Sequence, residues 1–155
     1  MTELLDRLVA ICGPDRVSNK LADRICYTRD CGPSPGGIPA CVARPTSTQE
    51  VSDIVKLANE VKTPIFIWGR STTFIGNGIK EGCILMALDL MSEIEEIDLE
   101  NKAIRVQTGA IWHAVDVELN KIGWELAVPG PGGMFSCSIG GSVAYNSTPH
   151  AIAEY

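Results

Sequence analysis

From Cys41 to Gly78 the chain reads CVARPTSTQEVSDIVKLANEVKTPIFIWGRSTTFIGNG, and this stretch decides the fold. Ser47 and Glu50 form a capping box, and Val51, Ile54, Val55, Ala58 and Val61 follow at helical spacing, so a helix is predicted from Thr48 to Val61. Lys62-Thr63-Pro64 then turns the chain into Ile65-Phe66-Ile67-Trp68, an apolar run of β-branched and aromatic residues that reads as a buried strand. Cys41-Val42-Ala43-Arg44 supplies a strand before the helix. Together these make a β-α-β unit of about thirty residues. It delivers the chain into Gly69 to Gly78, a loop rich in Gly, Ser and Thr.

Upstream, Leu4, Leu5, Leu8, Val9 and Ile11 share one stripe of a predicted helix over Glu3–Cys12, stopped by Gly13-Pro14. The segment Cys31–Pro39, CGPSPGGIP, carries three prolines and three glycines and reads as a loop or linker. Downstream, Cys83–Leu88 reads as a strand, and Ile94–Asp98 with Ala103–Gln107 as an antiparallel hairpin around Glu100-Asn101. Trp112, Val115, Leu119 and Ile122 recur at a helical period closed by Gly123, and a short strand is predicted over Trp124–Val128. The chain ends in a second small-residue segment, PGPGGMFSCSIGGSVAYNSTPHAIAEY.

The chain has 155 residues, 45% hydrophobic and 21% charged, the makeup of one ordinary soluble domain. Its formal charge of −6, from 19 acidic against 13 basic residues, repels polyphosphate backbones and anionic membrane surfaces. No nucleic-acid partner is therefore expected, and a small ligand or a protein is. The longest apolar run, Cys83–Leu88, is far short of the ~20 residues of a membrane span, so the chain is not expected to be transmembrane. Met1–Arg7 lacks a basic stretch followed by an apolar one, which implies a cytoplasmic chain with reduced cysteines. None of the six cysteines forms a C-x-x-C pair, and the spacing of Cys26, Cys31 and Cys41 matches no standard iron–sulfur pattern. No metal is expected.

A Gly/Ser/Thr loop directly after a buried strand can turn several backbone N–H groups toward one anionic oxygen. Gly69–Gly78 fits neither the G-x-x-x-x-G-K-[ST] nucleotide loop nor the G-x-G-x-x-G fingerprint, so a structural turn is the competing reading. The second segment, Ser136-Cys137-Ser138-Ile139-Gly140-Gly141-Ser142, again offers small residues, with Pro129 and Pro131 stiffening the approach. A ligand with a pyrophosphate between two ring systems would satisfy both loops. Phe74, Ile75, Ile139 and Val143 offer an apolar wall for a flat ring.

The ordered set Tyr27-Thr28-Arg29-Asp30, Ala43 to Val51, Ala58-Asn59, Trp68 to Gly76, Leu88-Asp89-Leu90, Gln107 to Ala110, Lys121-Ile122-Gly123 and Ser136 to Asn146 resembles the start of FAD-linked oxidases. These are the glycolate oxidase and D-lactate dehydrogenase relatives within the vanillyl-alcohol oxidase and p-cresol methylhydroxylase flavoprotein group. The resemblance implies an α+β fold of two FAD-binding subdomains, placed at 1–80 and 81–155, with the family pattern running on past Tyr155 as in a chain truncated at its C-terminus. It implies that Gly69, Arg70, Ser71, Thr72, Thr73, Gly76 and Asn77 hold the FAD pyrophosphate. Pro129 to Asn146 would line the other side, with Pro129, Gly130, Ser136, Cys137, Gly140, Gly141 and Asn146 as cofactor residues.

The function so implied is the FAD-binding part of an enzyme that oxidises a 2-hydroxy acid by hydride transfer to flavin, the acid being bound by a later region and the chain alone being inactive. An electron-transfer or iron–sulfur partner subunit, or an oligomer, would cover apolar faces left open. The alternative is a non-catalytic or degenerate FAD-domain subunit that associates with a partner chain, and a third reading is the reductase of UDP-N-acetylenolpyruvoylglucosamine. Several positions depart from the family: Arg70 and Ser71 stand where glycines are usual, Gly130–Gly133 replaces an Asp-x-Gly-Ser-like stretch, and Ser147 and Thr148 replace a Gly pair. Arg70 reads either as a phosphate fork or as a solvated surface arginine. No histidine lies between Gly69 and Gly78 to carry a covalent flavin, so FAD is expected to be non-covalent. His113 reads as structural and His150 as solvent-facing, and no catalytic residue is assigned.

Overall fold

A computed structural model describes residues 2–33, 35–74, 78–126 and 133–147. The chain divides into two compact units, Met1–Leu90 and one beginning at Met91. The first contains α1 (Thr2–Cys12), β1 (Val17–Ser18), α2 (Leu21–Ile25), β2 (Cys41–Ala43), α3 (Thr48–Glu60), β3 (Ile65–Trp68) and β4 (Ile84–Ala87). The second contains β5 (Ile94–Asp98), β6 (Ala103–Val106), α4 (Trp112–Asn120) and α5 (Ile139–Ala144). The mixed helix and sheet content agrees with the α+β expectation.

The first unit is built on a four-stranded sheet in the order β1-β2-β4-β3. β2 and β3 both run parallel to β4, in the registers Ala43↔Met86 and Trp68↔Ala87, and β1 pairs antiparallel with β2. β4 is buried along its whole length, because its alternate side chains enter two cores. Ile84 and Met86 join Leu8, Cys12, Ile54, Leu57 and Ala58 beneath α1 and α3, whereas Leu85 and Ala87 join Val42, Ile79 and Cys83 on the other face. Burial pushes the Cys41 thiol up to about 11, and raises the Cys12 and Cys83 thiols for the same first reason, so all three stay protonated.

α3 begins as predicted. Ser47 accepts from the Glu50 amide at 3.2 Å, and the Glu50 carboxylate accepts from the Thr46 amide at 2.8 Å. The same carboxylate takes both terminal nitrogens of Arg16, at 2.6 and 2.8 Å, which fastens the turn before β1 to the start of the helix. The Arg16 guanidinium holds Glu50 below the usual carboxylate range.

In the second unit β5 and β6 pair antiparallel with an irregularity at Ile94/Glu96. Ile94, Ile97, Ile104 and Val106 pack on Ala110, Val115 and Leu119. Asp98 accepts from both the backbone and the side-chain nitrogen of Asn101, closing the hairpin where it was expected.

Three features differ from the sequence reading. β4 belongs to the first sheet, and the compact units divide at Leu90/Met91, whereas the sequence reading placed the subdomain boundary at 80/81. Trp124–Leu126, the described part of the strand expected over Trp124–Val128, pairs with no strand: the Leu126 amide donates to Asp116 and its side chain enters the α4 core. α5 occupies a segment read as open loop, because Ser138 caps it by accepting from the Gly141 amide. β1 and α2 were not foreseen, since neither is long enough to show a period.

Replacing Glu50 with Gln removes the charge that Arg16 pairs with and is expected to cost about 1–3 kcal/mol near neutral pH. Because the folded pKa of Glu50 is depressed, its contribution is complete above the unfolded glutamate value and is lost as pH falls through the folded one. Urea unfolding of wild type and Glu50→Gln should therefore show a gap at neutral pH that closes in acid. A gap independent of pH contradicts the assignment.

Candidate functional site

The three parallel strands end at one edge, where Ala43 leads to Arg44, Trp68 to Gly69, and Ala87 to Leu88 and Asp89. Ligands of sheets with parallel strands bind outside these carboxyl ends. The Leu88 amide donates to the Trp68 carbonyl at 3.0 Å, and Arg44 grips Asp89 through Nε at 3.3 Å and Nη2 at 2.5 Å. Tyr27 meets the Trp68 ring edge-on with centroids 4.9 Å apart. Burial raises the Tyr27 phenol pKa, with Asp89 adding to the shift and Arg44 opposing it, so the phenol is a neutral wall of this edge.

The loop Gly69–Phe74 leaves this edge and is tied to a second one. The Cys31 amide donates to the Thr73 carbonyl at 3.0 Å, and the Cys31 thiol points to the Ser71 carbonyl at 3.7 Å. That second loop is turned by Asp30, whose Oδ1 accepts from the Gly32 amide at 2.7 Å. Ser71 sits at φ 52°, a left-handed conformation that glycine adopts without strain. Four buried polar atoms have no partner among the described residues: Trp68 Nε1 at the end of β3, Arg70 Nε on the loop after it, Asp30 Oδ2 on the second loop and Arg24 Nε on α2. Phe74 stands 76% exposed, an apolar face open to contact. A groove of about 340 Å³ lies alongside, lined by Asp15, Arg16, Asp23, Tyr27 and Arg44, but both of its arginines are already paired and none of Gly69–Phe74 lines it.

The second segment behaves differently from the expectation. A row of free amides was predicted over Ser136–Ser142, yet nearly all of them are engaged inside the unit. Ser136 and Cys137 donate to the Gly133 carbonyl, Ile139 to Ala110, Gly140 to Thr108, and Ser142 to Ser138, while Gly141 donates to the Ser138 hydroxyl. Gly140 is required by space: a Cβ there would stand 1.7 Å from Thr108 Oγ1 and 2.8 Å from the Thr108 carbonyl oxygen. Asn146 lies at φ 50° just after α5, with its amide on the Val143 carbonyl, the usual way a helix end is closed. Outward from this frame, Val143 is 72% exposed and Gly141 is exposed too. The His113 ring meets Phe135 at a tilt of 57° with centroids 4.6 Å apart, and its amide donates to the Met134 carbonyl.

Among the predicted cofactor residues, Gly69, Arg70, Ser71, Thr72 and Thr73 thus share the loop at the end of β3, and Ser136, Cys137, Gly140, Gly141 and Asn146 share the α5 region of the second unit. Gly76, Asn77, Pro129 and Gly130 lie outside the described residues, as does His150. Sequence reasoning gave no role to Trp68, Arg44, Asp89 or Thr108. Only the pairing of strand ends reveals the first three, and only the backbone approach at Gly140 reveals the last. Among the described residues no group of three His, Cys, Asp or Glu side chains is placed to hold a metal, and no helix is long and apolar enough to cross a membrane.

Comparison with known proteins places this geometry. Residues 39–155 match the family model described as FAD binding domain. The chain is 30% identical over 146 residues to the glycolate oxidase subunit GlcD of Bacillus subtilis, covering 94% of this chain and 31% of that protein. It is 34% identical over 118 residues to D-lactate dehydrogenase of Anaerostipes hadrus, covering 76% of this chain and 24% of that one. The chain therefore spans less than a third of the length of these relatives. Among solved structures, alkyldihydroxyacetonephosphate synthase matches 100% of this chain and 31% of its own with a TM-score of 0.89 at 20% identity. Substrate-bound p-cresol methylhydroxylase matches 78% of this chain and 24% of its own with a TM-score of 0.70 at 21% identity. At such identities the likeness is one of fold.

Gly140→Ala tests the frame directly. Overpacking of this kind costs about 1–3 kcal/mol or more where backbone has to move, so thermal unfolding of the second unit should shift down sharply, while Gly141→Ala, which meets only the Ser138 hydroxyl, should shift it less. Equal behaviour of the two variants contradicts the close approach to Thr108.

Proposed function

We propose, since the chain belongs to the FAD binding domain family, that it is the cofactor-holding part of an oxidoreductase acting on a 2-hydroxy acid of the glycolate or D-lactate type. FAD is its cofactor. The observation that carries the substrate class is the pair of relatives at 30% and 34% identity, a glycolate oxidase subunit and a D-lactate dehydrogenase. The solved structure of alkyldihydroxyacetonephosphate synthase shares the fold at lower identity and supports no substrate for this chain.

The residues present suit the cofactor, because the end of β3 carries buried N–H donors with no acceptor, at Trp68 Nε1 and Arg70 Nε. An anionic group set there would supply one. In this reading Gly69 to Thr73, with Gly76 and Asn77, hold the pyrophosphate. Pro129, Gly130, Ser136, Cys137, Gly140, Gly141 and Asn146 are the remaining cofactor residues of this reading. The engaged amides of Ser136–Ser142 give that segment the part of a rigid wall rather than a second anion nest. FAD, when bound, supplies the hydride acceptor for the α-carbon of the acid. The chain's own residues bind, orient and shield it, and the two units, parting at Leu90/Met91, stand as the two FAD-binding subdomains.

No histidine lies in the Gly69–Gly78 loop, which supports non-covalent binding. The six free cysteines support a cytoplasmic location. GlcD of Bacillus subtilis is named as a subunit of its oxidase, which supports an electron-accepting partner chain here.

Purified chain mixed with FAD should carry flavin absorbance through gel filtration, and acid precipitation should release all of that flavin into the supernatant. Flavin absent from the protein peak contradicts the cofactor assignment for this chain, and flavin in the pellet contradicts non-covalent attachment. Fused to the remainder of GlcD of Bacillus subtilis, the bound flavin should bleach anaerobically with glycolate or D-lactate. A flavin-loaded fusion that neither acid bleaches contradicts the substrate class.

A further inference from the structure

We propose that the Arg70 guanidinium is the side chain that reads the phosphate at the end of β3, making this chain's grip on FAD depend on a charged fork rather than on loop amides alone. The inference rests on the FAD-binding reading above and deepens it. Arg70 follows Trp68 by two residues, beyond the strand end that the Leu88 amide and the Arg44–Asp89 pair hold in place. Its Nε is buried without a hydrogen-bond partner, and so is the indole N–H of Trp68. Two buried donors in want of acceptors within three residues are unusual, since such groups are nearly always paired in a finished fold. Arg16 and Arg44 show the contrast, since each holds a carboxylate; Arg24 shares an unpartnered Nε but donates through a terminal nitrogen to the Pro39 carbonyl. Arg70 has no ion pair among the described residues.

A phosphate supplies what is missing. It is an acceptor with several oxygens whose geometry suits a planar guanidinium, and a left-handed residue beside Arg70 is compatible with loop amides turning toward the same anion. Ser71 occupies the left-handed conformation that glycine tolerates best, and the loop is held from behind through the Thr73 carbonyl by the Cys31 amide. Among the described residues, the competing acceptor is the unpartnered Asp30 Oδ2. An Arg70–Asp30 ion pair would serve stability instead of ligand binding, and the two arrangements part in experiment.

The test compares wild type, Arg70→Gln and Arg70→Lys for FAD and for riboflavin, which shares the ring but has no phosphate, by quenching of flavin fluorescence. Loss of a charge-assisted bond corresponds to about a 10- to 100-fold change in Kd. The expected result is that Arg70→Gln weakens FAD by that factor and leaves riboflavin unchanged. Arg70→Lys should fall between, and the salt dependence of FAD binding should lessen in Arg70→Gln. The proposal is overturned if Arg70→Gln binds FAD as wild type does, if it weakens both flavins alike, or if its only effect is lower unfolding stability of the ligand-free chain, as an Arg70–Asp30 pair requires. If wild type takes up no FAD, the functional reading fails. The assignment is then decided by inorganic pyrophosphate, whose stabilisation of wild type against heat should be lost in Arg70→Gln and whose equal effect on both refutes it.

Discussion

β4 lies between β2 and β3, buried on both faces, and the arrangement of the first unit follows from that position. A central strand that runs parallel to both neighbours forces each connection to cross a face of the sheet, because parallel strands cannot be joined by a tight turn. α3 makes the crossing between β2 and β3. All three strands therefore end at the same edge, where Arg44, Gly69 and Asp89 arrive together. The Arg44–Asp89 fork joins the ends of the neighbouring strands β2 and β4, and at the end of β3 Trp68 Nε1 and Arg70 Nε stay unpaired.

The second unit uses its small residues for a different purpose. Gly140 permits α5 to lie against Thr108, closer than any side chain allows, and the amides that a ligand loop would present are spent on Ala110, Thr108, Gly133 and Ser138. Trp112 adds a bond from its indole to Ser142 at 2.9 Å, so the start of α4 and the middle of α5 are joined as well. The two units differ in this respect. A loop with unmet donors belongs to the first unit, and a pre-satisfied helix start with an exposed Val143 belongs to the second.

Much of this was legible in the residues. The capping box at Ser47 and Glu50, the β-branched run at Ile65–Trp68 and the Asp98–Asn101 hairpin each carry a local signal strong enough to place the element. What escaped has a physical reason in each case. β1 and α2 span too few residues for a period to register. Whether Ile84–Ala87 pairs with the first sheet depends on partners as far upstream as Cys41–Ala43, which no local pattern contains. The Gly/Ser segment before Asn146 has the composition of a nest, but composition does not say where amides point. Ser138 as a cap and Thr108 as a neighbour decide that, and Thr108 comes thirty-two residues before Gly140. Arg70 stood open between ligand and solvent in the sequence, and its buried, unpaired Nε moves it toward the first.

Amide hydrogen exchange with and without FAD tests the central claim that the carboxyl edge of the parallel strands is the binding edge. The account predicts slowed exchange in Tyr27–Gly32 and Gly69–Phe74, which share that edge through the Cys31–Thr73 bond, with the amides of Ser136–Ser142 already slow before FAD is added because the fold engages them. Exchange in Gly69–Phe74 that FAD leaves unchanged, together with fast amides in Ser136–Ser142 that FAD protects, would contradict it.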